Sequence, residues 1–240
     1  MGQEFYVDGN AAAGLQRLHG FNSFTGTTGP LATGFVAAPS DSYAQLNTDL
    51  ADKGGSWSGN WPDGVGDPQY DYWAPLLVDY TDTAWTASTK TWPNTCLEAL
   101  RFGIIQGQRN TSMDGQLDVI ILDRTMYYQF LNALQPEERI TVTRGQALNN
   151  PSSSALVKLG FNNITNWDGV DVTWEFGVPA ATGYGWCLGQ VEFRSLQETL
   201  FASVGPTYNP TNVDWKFHID FLGNLKFNSP RGFIKFGAYT

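Results

Sequence analysis

The sequence predicts an α+β fold in which helices pack against a sheet, and three successive stretches between residues 91 and 134 support this prediction. They have the patterns of an amphipathic helix, a short apolar strand and a second amphipathic helix. Because each helix has one apolar face, both helices must bury that face against a neighbouring layer. A sheet that contains the apolar strand provides that layer.

The first helix is predicted to begin beside Thr91. Pro93 fits the first turn, where a missing N–H costs nothing, and either Thr91 or Asn94 can cap the helix. Thr95 and Glu98 have the spacing of a capping box. The apolar face recurs with a helical period and consists of Leu97, Leu100 and Ile104.

The strand and the second helix follow a predicted turn at 114–115. Residues 117–122 are mostly apolar and β-branched, which is typical of a central strand covered on both faces. Asp123 is a candidate cap for the helix, and Pro136 is expected to end it. The apolar stripe of this helix consists of Met126, Tyr127, Phe130, Leu131 and Leu134.

Two stretches before the first helix have less regular patterns. Residues 57–92 are rich in Trp and Tyr among Gly, Pro and Asp, which predicts a long, mostly irregular loop. Ordered loops of this length are usually functional. Residues 41–52 are predicted to form a short helix that Asp41 caps, with an apolar side made of Tyr43, Leu46 and Leu50.

The second half of the chain is predicted to consist mainly of strands. A strand at 139–144 is followed by a polar linker at 145–154. Residues 164–176 have the pattern of a hairpin that turns at Asp168 and Gly169. An exposed loop at 179–183 leads into a strand at 184–188. The last segments alternate apolar and polar residues and predict an antiparallel meander of strands at 215–221, 225–227 and 232–236.

The charge balance argues against a general nucleic-acid-binding role. The 240 residues include 14 basic and 23 acidic ones, with a formal net charge of −9, whereas phosphate contacts need clustered Lys and Arg. No apolar run has the length of a transmembrane helix and no targeting pattern starts the sequence, so a soluble chain is expected. Cys96 and Cys187 are expected to be buried free thiols, which is compatible with a reducing compartment.

Residues with catalytic chemistry do not form a recognisable motif. The stretch nearest to a serine-hydrolase elbow has Trp57 at the position of the nucleophile. His19 and His218 are far apart in the sequence and are expected to be structural, and residues 8–10 are expected to form a turn, not a calcium loop. The sequence therefore predicts that the protein is not an enzyme and has no catalytic, cofactor-binding or metal site.

Aromatic residues make up 14% of the chain and charged residues 15%, which suits either extensive protein contacts or stacking on sugars. An aromatic-rich carbohydrate-binding module would use Trp57, Trp61, Trp73 and Trp85. A glycosidase-like domain would use the nearby aspartates, which are Asp63, Asp67, Asp71, Asp79 and Asp82. Aspartates in Gly- and Pro-rich segments are more often turn formers.

Several stretches, taken in order, resemble the major capsid protein of tailed bacteriophages, the Hong Kong 97-type shell subunit. Residues 6–15 are similar to its loop of Asp-Gly followed by Gly-Leu. Residues 117–134 resemble its strand, Asp and aromatic-containing helix. Residues 169–172 and 178–183 resemble its Gly-x-x-Val hairpin strand and its small-residue loop, and 218–236 resembles its closing strands near a proline.

The resemblance implies a Hong Kong 97-type fold, with a mixed sheet and flanking helices in an axial domain and antiparallel strands of a partial peripheral domain. Residues 1–14 would be a remnant of the peripheral domain at the end of the spine helix, 15–212 the axial domain, and 213–240 the returning peripheral strands. The family has an N-terminal arm, an E-loop and the spine helix before the Asp-Gly loop, so the chain resembles a truncated subunit. Side chains that would pack under that helix are then expected to be exposed, namely Trp215, Phe217, Ile219 and Phe221.

The implied function is that of a major capsid protein, which self-assembles into the pentamers and hexamers of an icosahedral phage head around double-stranded DNA. The implied partners are copies of the chain and other head proteins such as scaffold, portal or decoration proteins, with no membrane and no sequence-specific nucleic acid. The implied location is the virion, after assembly in the bacterial host cytoplasm. Subunit contacts are expected at 179–183, near a ring axis, and at 57–92.

Overall fold

A computed structural model of the chain describes residues 2–9, 18–26, 36–37, 42–43, 46–47, 75–108, 116–134, 164–196, 198, 202–211, 214–220 and 222–239. The α-helices in these ranges are α1 (Trp92–Gly107) and α2 (Arg124–Leu134). The strands are β1 (Val36–Ala37), β2 (Ser42–Tyr43), β3 (Leu46–Asn47), β4 (Leu76–Asp79), β5 (Val119–Leu122), β6 (Thr165–Trp167), β7 (Val170–Trp174), β8 (Gly183–Trp186), β9 (Val191–Ser195), β10 (Ala202–Asn209), β11 (Asp214–Asp220), β12 (Gly223–Phe227) and β13 (Ile234–Gly237).

Seven of these strands form one mixed sheet in the order β1-β4-β13-β8-β5-β7-β6. β4 runs parallel to β13 and β5 runs parallel to β7, while the other neighbours in this sheet are antiparallel. This architecture confirms the predicted α+β class with a mixed sheet. β5 lies between β8 and β7, which confirms the central strand predicted within 117–122.

The sheet separates two apolar clusters, and β5 contributes to both because successive side chains of a strand point to opposite faces. Ile120 and Leu122 pack with α1 and α2, while Val119 and Ile121 join the cluster on the other face. Most of that second cluster is aromatic, from Tyr6, Phe21, Phe24, Tyr184, Trp186, Phe227 and Phe233. Burial of β5 on both faces explains its uninterrupted apolar sequence.

Both apolar helix faces are confirmed. On α1, Leu100 and Ile104 are buried and Leu97 is partly buried. On α2, Leu131 is partly buried and the rest of the predicted stripe is fully buried, as Met126, Tyr127, Phe130 and Leu134. The helices therefore cover one face of the sheet, as their periodicity predicts.

The first turn of α1 is held differently from the predicted capping box. Thr95 lies inside the helix, and its N–H already donates to the carbonyl oxygen of Thr91 at 3.1 Å. Its hydroxyl donates to the carbonyl oxygen of Tyr80 at 2.9 Å, so the capping box with Glu98 is wrong. Glu98 instead accepts from the N–H and the hydroxyl of Thr86. Both side chains therefore tie α1 to the segment that precedes it.

The predicted hairpin at 164–176 is confirmed as β6 and β7, in which Trp167 pairs with Val170. Asp168 and Gly169 form the turn with φ values of 48° and 84°. Two residues with positive φ are what a two-residue hairpin turn of the right twist requires. The Asp-Gly pair therefore fixes the register of this edge of the sheet.

The helix predicted at 41–52 is wrong for the residues described there. Ser42 pairs with Asn47 and Tyr43 pairs with Leu46 as antiparallel strands. A helix this short gains few hydrogen bonds against its nucleation cost, so strand pairing is the better use of these backbone groups.

The antiparallel meander predicted for the last segments is also wrong. β11 pairs with β10, β12 pairs with β9, and β13 enters the seven-stranded sheet. Alternation predicted each strand, but alternation reports only which face is apolar and not which strand is the neighbour. The domain boundaries at 14/15 and 212/213 stay a prediction. The predicted turn at 114–115, Pro136 and the segments 139–144 and 145–154 lie outside the described residues.

Candidate assembly surfaces

The described end of the predicted aromatic loop is irregular at 80–91, as predicted, but it also contains a strand and contributes to the core. Residues 76–79 form β4, and all four of them are buried. Trp85 is 3% exposed, and its Nε1 donates to the carbonyl oxygen of Asp79 at 2.7 Å. Because it packs inside the protein, Trp85 does not offer a face to a sugar. The other proposed sugar-stacking residues, Trp57, Trp61 and Trp73, lie outside the described part of the chain.

The two described aspartates of this segment shape turns. Oδ1 of Asp79 accepts from the N–H and the hydroxyl of Thr81, at 2.8 and 2.6 Å. Oδ1 of Asp82 accepts from the N–H of Ala84 at 2.7 Å. These contacts support the turn-forming interpretation over a catalytic pair. Asp63, Asp67 and Asp71 lie outside the described ranges.

The two histidines lie on different elements. The N–H of His19 donates to Oδ1 of Asn224 at 2.8 Å, and its Nδ1 lies 3.3 Å from the hydroxyl of Ser23, so His19 links its segment to β12. His218 is exposed on β11. Within the described ranges, no three His, Cys, Asp or Glu side chains are grouped to hold a metal ion. Neither described helix has the length and apolar character needed to cross a membrane.

The two cysteines form no disulfide and differ in exposure, since Cys96 is buried in α1 and Cys187 is partly exposed after β8. Full burial is therefore wrong for Cys187. Burial raises the pKa of the Cys96 thiol to about 11, so almost none of it is thiolate at pH 8.

We expect a maleimide to label one cysteine per native chain and two per unfolded chain. Cys187→Ser should remove the native labelling and Cys96→Ser should keep it; labelling of native Cys187→Ser would contradict this assignment.

One edge of the central sheet brings together two helix starts and a tight loop. The strands β4 and β5 both end on this side of the sheet, and the helices α1 and α2 both begin there. We call the surface formed by residues 80–92, 123–129 and 174–182 the sheet tip. The hydroxyl of Tyr80 donates to the carbonyl oxygen of Ala181 at 3.2 Å. The N–H of Asp123 donates to the carbonyl oxygen of Thr182 at 3.0 Å. The loop at 179–183 is thus fixed from both sides.

Exposure of this loop is confirmed at its centre only. Ala180 and Ala181 are exposed, whereas Pro179 and Thr182 are half-buried and Gly183 is buried in β8. A Cβ on Gly183 would lie 2.5 Å from Cδ2 of Leu122, so the strand can start here only with glycine or a shifted core. The loop therefore presents two small side chains on a rigid base.

A cavity of about 400 Å³ opens beside this loop. Its walls combine Tyr80, Trp92 and Met126 with the polar side chains of Lys90, Asp123 and Gln129. The Lys90 ammonium donates to the carbonyl oxygens of Trp85 and Ala87, the latter at 2.6 Å. The cavity therefore combines apolar walls with a lysine whose ammonium already has two acceptors and with the carboxylate of Asp123.

An exposed aromatic side chain lies on the same tip. Phe176 follows β7 and is 73% exposed. The guanidinium of Arg124 lies 5.1 Å from its ring centre, and the ring of Trp174 lies 6.3 Å away. Tyr128 on α2 is also exposed, at 65%. Sequence patterns did not single out Phe176, because one aromatic residue beside a glycine gives no periodic signal.

A second exposed apolar surface is the ribbon of β10 and β11. Trp215, Phe217 and Ile219 alternate along β11 and are 67%, 58% and 62% exposed. Tyr208 on β10 is paired with Trp215, and their ring centres are 5.2 Å apart. The predicted exposure of the apolar side is confirmed for these three residues of β11, while Phe221 lies outside the described ranges.

No protein-family model matches the chain, and no curated protein matches it. Among solved structures, it is similar to the encapsulin complex SrpI from Synechococcus elongatus, with 10% identity and a TM-score of 0.43 over 59% of this chain and 48% of that chain. It is also similar to a virus-like particle from Pyrococcus furiosus, with 9% identity and a TM-score of 0.32 over 61% of this chain and 52% of that chain. The chain thus spans about half the length of these two structures.

Proposed function

We propose that the chain is a non-catalytic subunit that assembles with copies of itself into a closed shell. The observation that carries the proposal is the ribbon of β10 and β11. An isolated two-stranded ribbon is marginally stable in water, and this one exposes Trp215, Phe217 and Ile219 along one strand. Large apolar side chains that are exposed together mark a protein contact.

The order of elements supports a subunit of the Hong Kong 97 type. The strand β5, then Asp123, then the aromatic-containing helix α2 correspond to one block of the resemblance. The strand β7 that starts after Gly169 and the small-residue loop before β8 correspond to the next. The closing strands β12 and β13 flank Pro230, which corresponds to the last.

In this proposal the sheet tip faces the axis of a ring, and the ribbon reaches a neighbouring ring or the adjacent subunit. Heterologous contacts of identical chains close into rings when the rotation between copies closes, which gives pentamers and hexamers. Such rings tile an icosahedral phage head around double-stranded DNA, assembled in a bacterial host together with other head proteins. A net charge of −9 is compatible with this role, because the shell needs contacts between subunits more than contacts with phosphates.

The test is negative-stain electron microscopy with sedimentation velocity of the purified chain, alongside any longer natural product of the same gene. We expect five- and six-fold rings or shells from at least one of them at moderate salt. Dispersed monomers of both, over a range of salt and protein concentrations, would contradict the proposal. Oligosaccharide quenching of tryptophan fluorescence would then test the carbohydrate-binding alternative, for which Trp57, Trp61 and Trp73 remain as stacking residues.

A further inference from the structure

We propose that Phe176 of one copy inserts into the sheet-tip cavity of the next copy, and that this contact joins neighbouring subunits of a ring. The inference rests on the proposed function, because it names the contact through which copies of the chain associate. It commits to a second copy as the occupant of the cavity and to one aromatic side chain as the group that enters it.

Phe176 has the properties of an inserted side chain. Its ring is 73% exposed, so the isolated chain leaves most of its apolar surface in water. The Arg124 guanidinium over the ring and the Trp174 ring beside it restrict its orientation before any partner arrives. A side chain that is already oriented loses less conformational entropy on binding.

The cavity has the properties of the receiving site. Tyr80, Trp92 and Met126 offer apolar walls, and its volume of about 400 Å³ exceeds the need of one aromatic side chain. The ammonium of its cationic side chain, Lys90, already donates to two backbone carbonyl oxygens. The Ala181 carbonyl, which accepts from Tyr80, fixes the rim. The carboxylate of Asp123, also in the wall, accepts from the N–H of Ala181 at 3.5 Å, so an aromatic ring can pack on the apolar walls while both charged groups keep their backbone partners.

The two features lie at different places along the same edge, which favours a head-to-tail contact. The cavity lies between the ends of β4 and β5, which are three strand spacings or about 14 Å apart. Phe176 follows β7, which lies beyond β5 on the other side. Because the inserted residue and its cavity are separate surfaces of one chain, each copy can give one contact and receive another. Repetition of such a contact forms a ring when it closes.

Two variants separate the two halves of the contact. Phe176→Ala removes the inserted ring and leaves the cavity, whereas Thr125→Trp fills the cavity from its exposed wall and leaves the ring. For each variant alone, sedimentation velocity is expected to give a dissociation constant for self-association that is about tenfold or more higher than that of the unchanged chain. A one-to-one mixture is expected to associate more strongly than either variant alone but to form no closed ring through the tip, since Phe176 of the Thr125→Trp chain can enter only the open cavity of the Phe176→Ala chain.

Matched substitutions outside the tip control for general effects. Phe193→Ala removes another exposed phenylalanine, and Ile105→Trp adds a tryptophan at an exposed position of α1. Both are expected to associate like the unchanged chain, and circular dichroism should show that all four variants are folded. If one tip variant fails to fold, Phe176→Ser or Gln129→Trp takes its place.

The outcomes distinguish this inference from the proposed function. If the unchanged chain self-associates and both tip variants associate equally well, or if the mixture stays monomeric, the inference is overturned while shell assembly stands. If neither the unchanged chain nor any longer natural product of the same gene self-associates at any concentration tested, the proposed function fails, and the ring contact fails with it.

Discussion

Replacing Trp215, Phe217 and Ile219 together with threonine is expected to abolish shell formation and to leave the subunit folded. The three side chains are 58–67% exposed, so the folded monomer draws little free energy from their burial. In an assembly each buried side chain of this size contributes about 1.5–3 kcal/mol, and the loss recurs in every subunit. Threonine retains a high strand propensity, which keeps β11 extended. Shell yield by electron microscopy and monomer stability by urea unfolding measure the two effects.

Lys216→Thr with His218→Thr is the matched control, because both residues are exposed on β11 at alternate positions. We expect this pair to assemble with a yield close to that of the unchanged chain. Amide hydrogen exchange of β11 should be fast in the monomer and slow in the shell. Full protection of these amides in a dispersed monomer, or normal shells from the triple variant, would contradict the contact assigned to the ribbon.

Phe236→Ala is expected to lower the free energy of unfolding by about 3–5 kcal/mol, which is a large part of the stability of a typical domain. Phe236 is fully buried in β13. Its ring centre lies 6.3 Å from that of Trp92, and a Cβ on Gly103 of α1 would lie only 2.6 Å from its Cζ. The helix thus approaches the ring so closely that alanine leaves a cavity which α1 cannot easily fill.

Urea unfolding followed by tryptophan fluorescence measures this loss. Phe193→Ala is the control, since Phe193 is 40% exposed on β9 and should lose no more than about 0.5–1 kcal/mol. A loss below about 1 kcal/mol for Phe236→Ala would mean that the core relaxes around the missing ring. In that case the close packing of α1 on β13 would be wrong.

The elements that the sequence predicted well are those with local causes. The helical periods of α1 and α2 and the apolar run of β5 report burial directly, and Asp168 with Gly169 supplies the positive φ that a tight hairpin needs. Each of these signals is complete within a few neighbouring residues.

The elements that the sequence missed depend on distant residues. β4 is a run of only four buried residues beside an aromatic-rich segment, and its neighbours β1 and β13 are far away in the chain. Trp85 looked suited to a sugar, but the Asp79 carbonyl that binds its Nε1 fixes it in the core. Phe176 became a candidate only because it is exposed on the same sheet tip as a cavity, which no pattern of spacing reports.

The place of β13 also affects the order in which the protein can form during synthesis. β13 is the last described strand along the chain, yet it lies between β4 and β8. On the ribosome, these two earlier strands each keep an unpaired edge until residues 234–237 emerge, and such edges recruit other chains. The central sheet therefore closes late, and folding is governed by contacts of long sequence separation, which are slow to form. The described strands of the sheet therefore cannot all pair until nearly all of the described length has been made, and until then the free edges of β4 and β8 are open to pairing with neighbouring nascent chains.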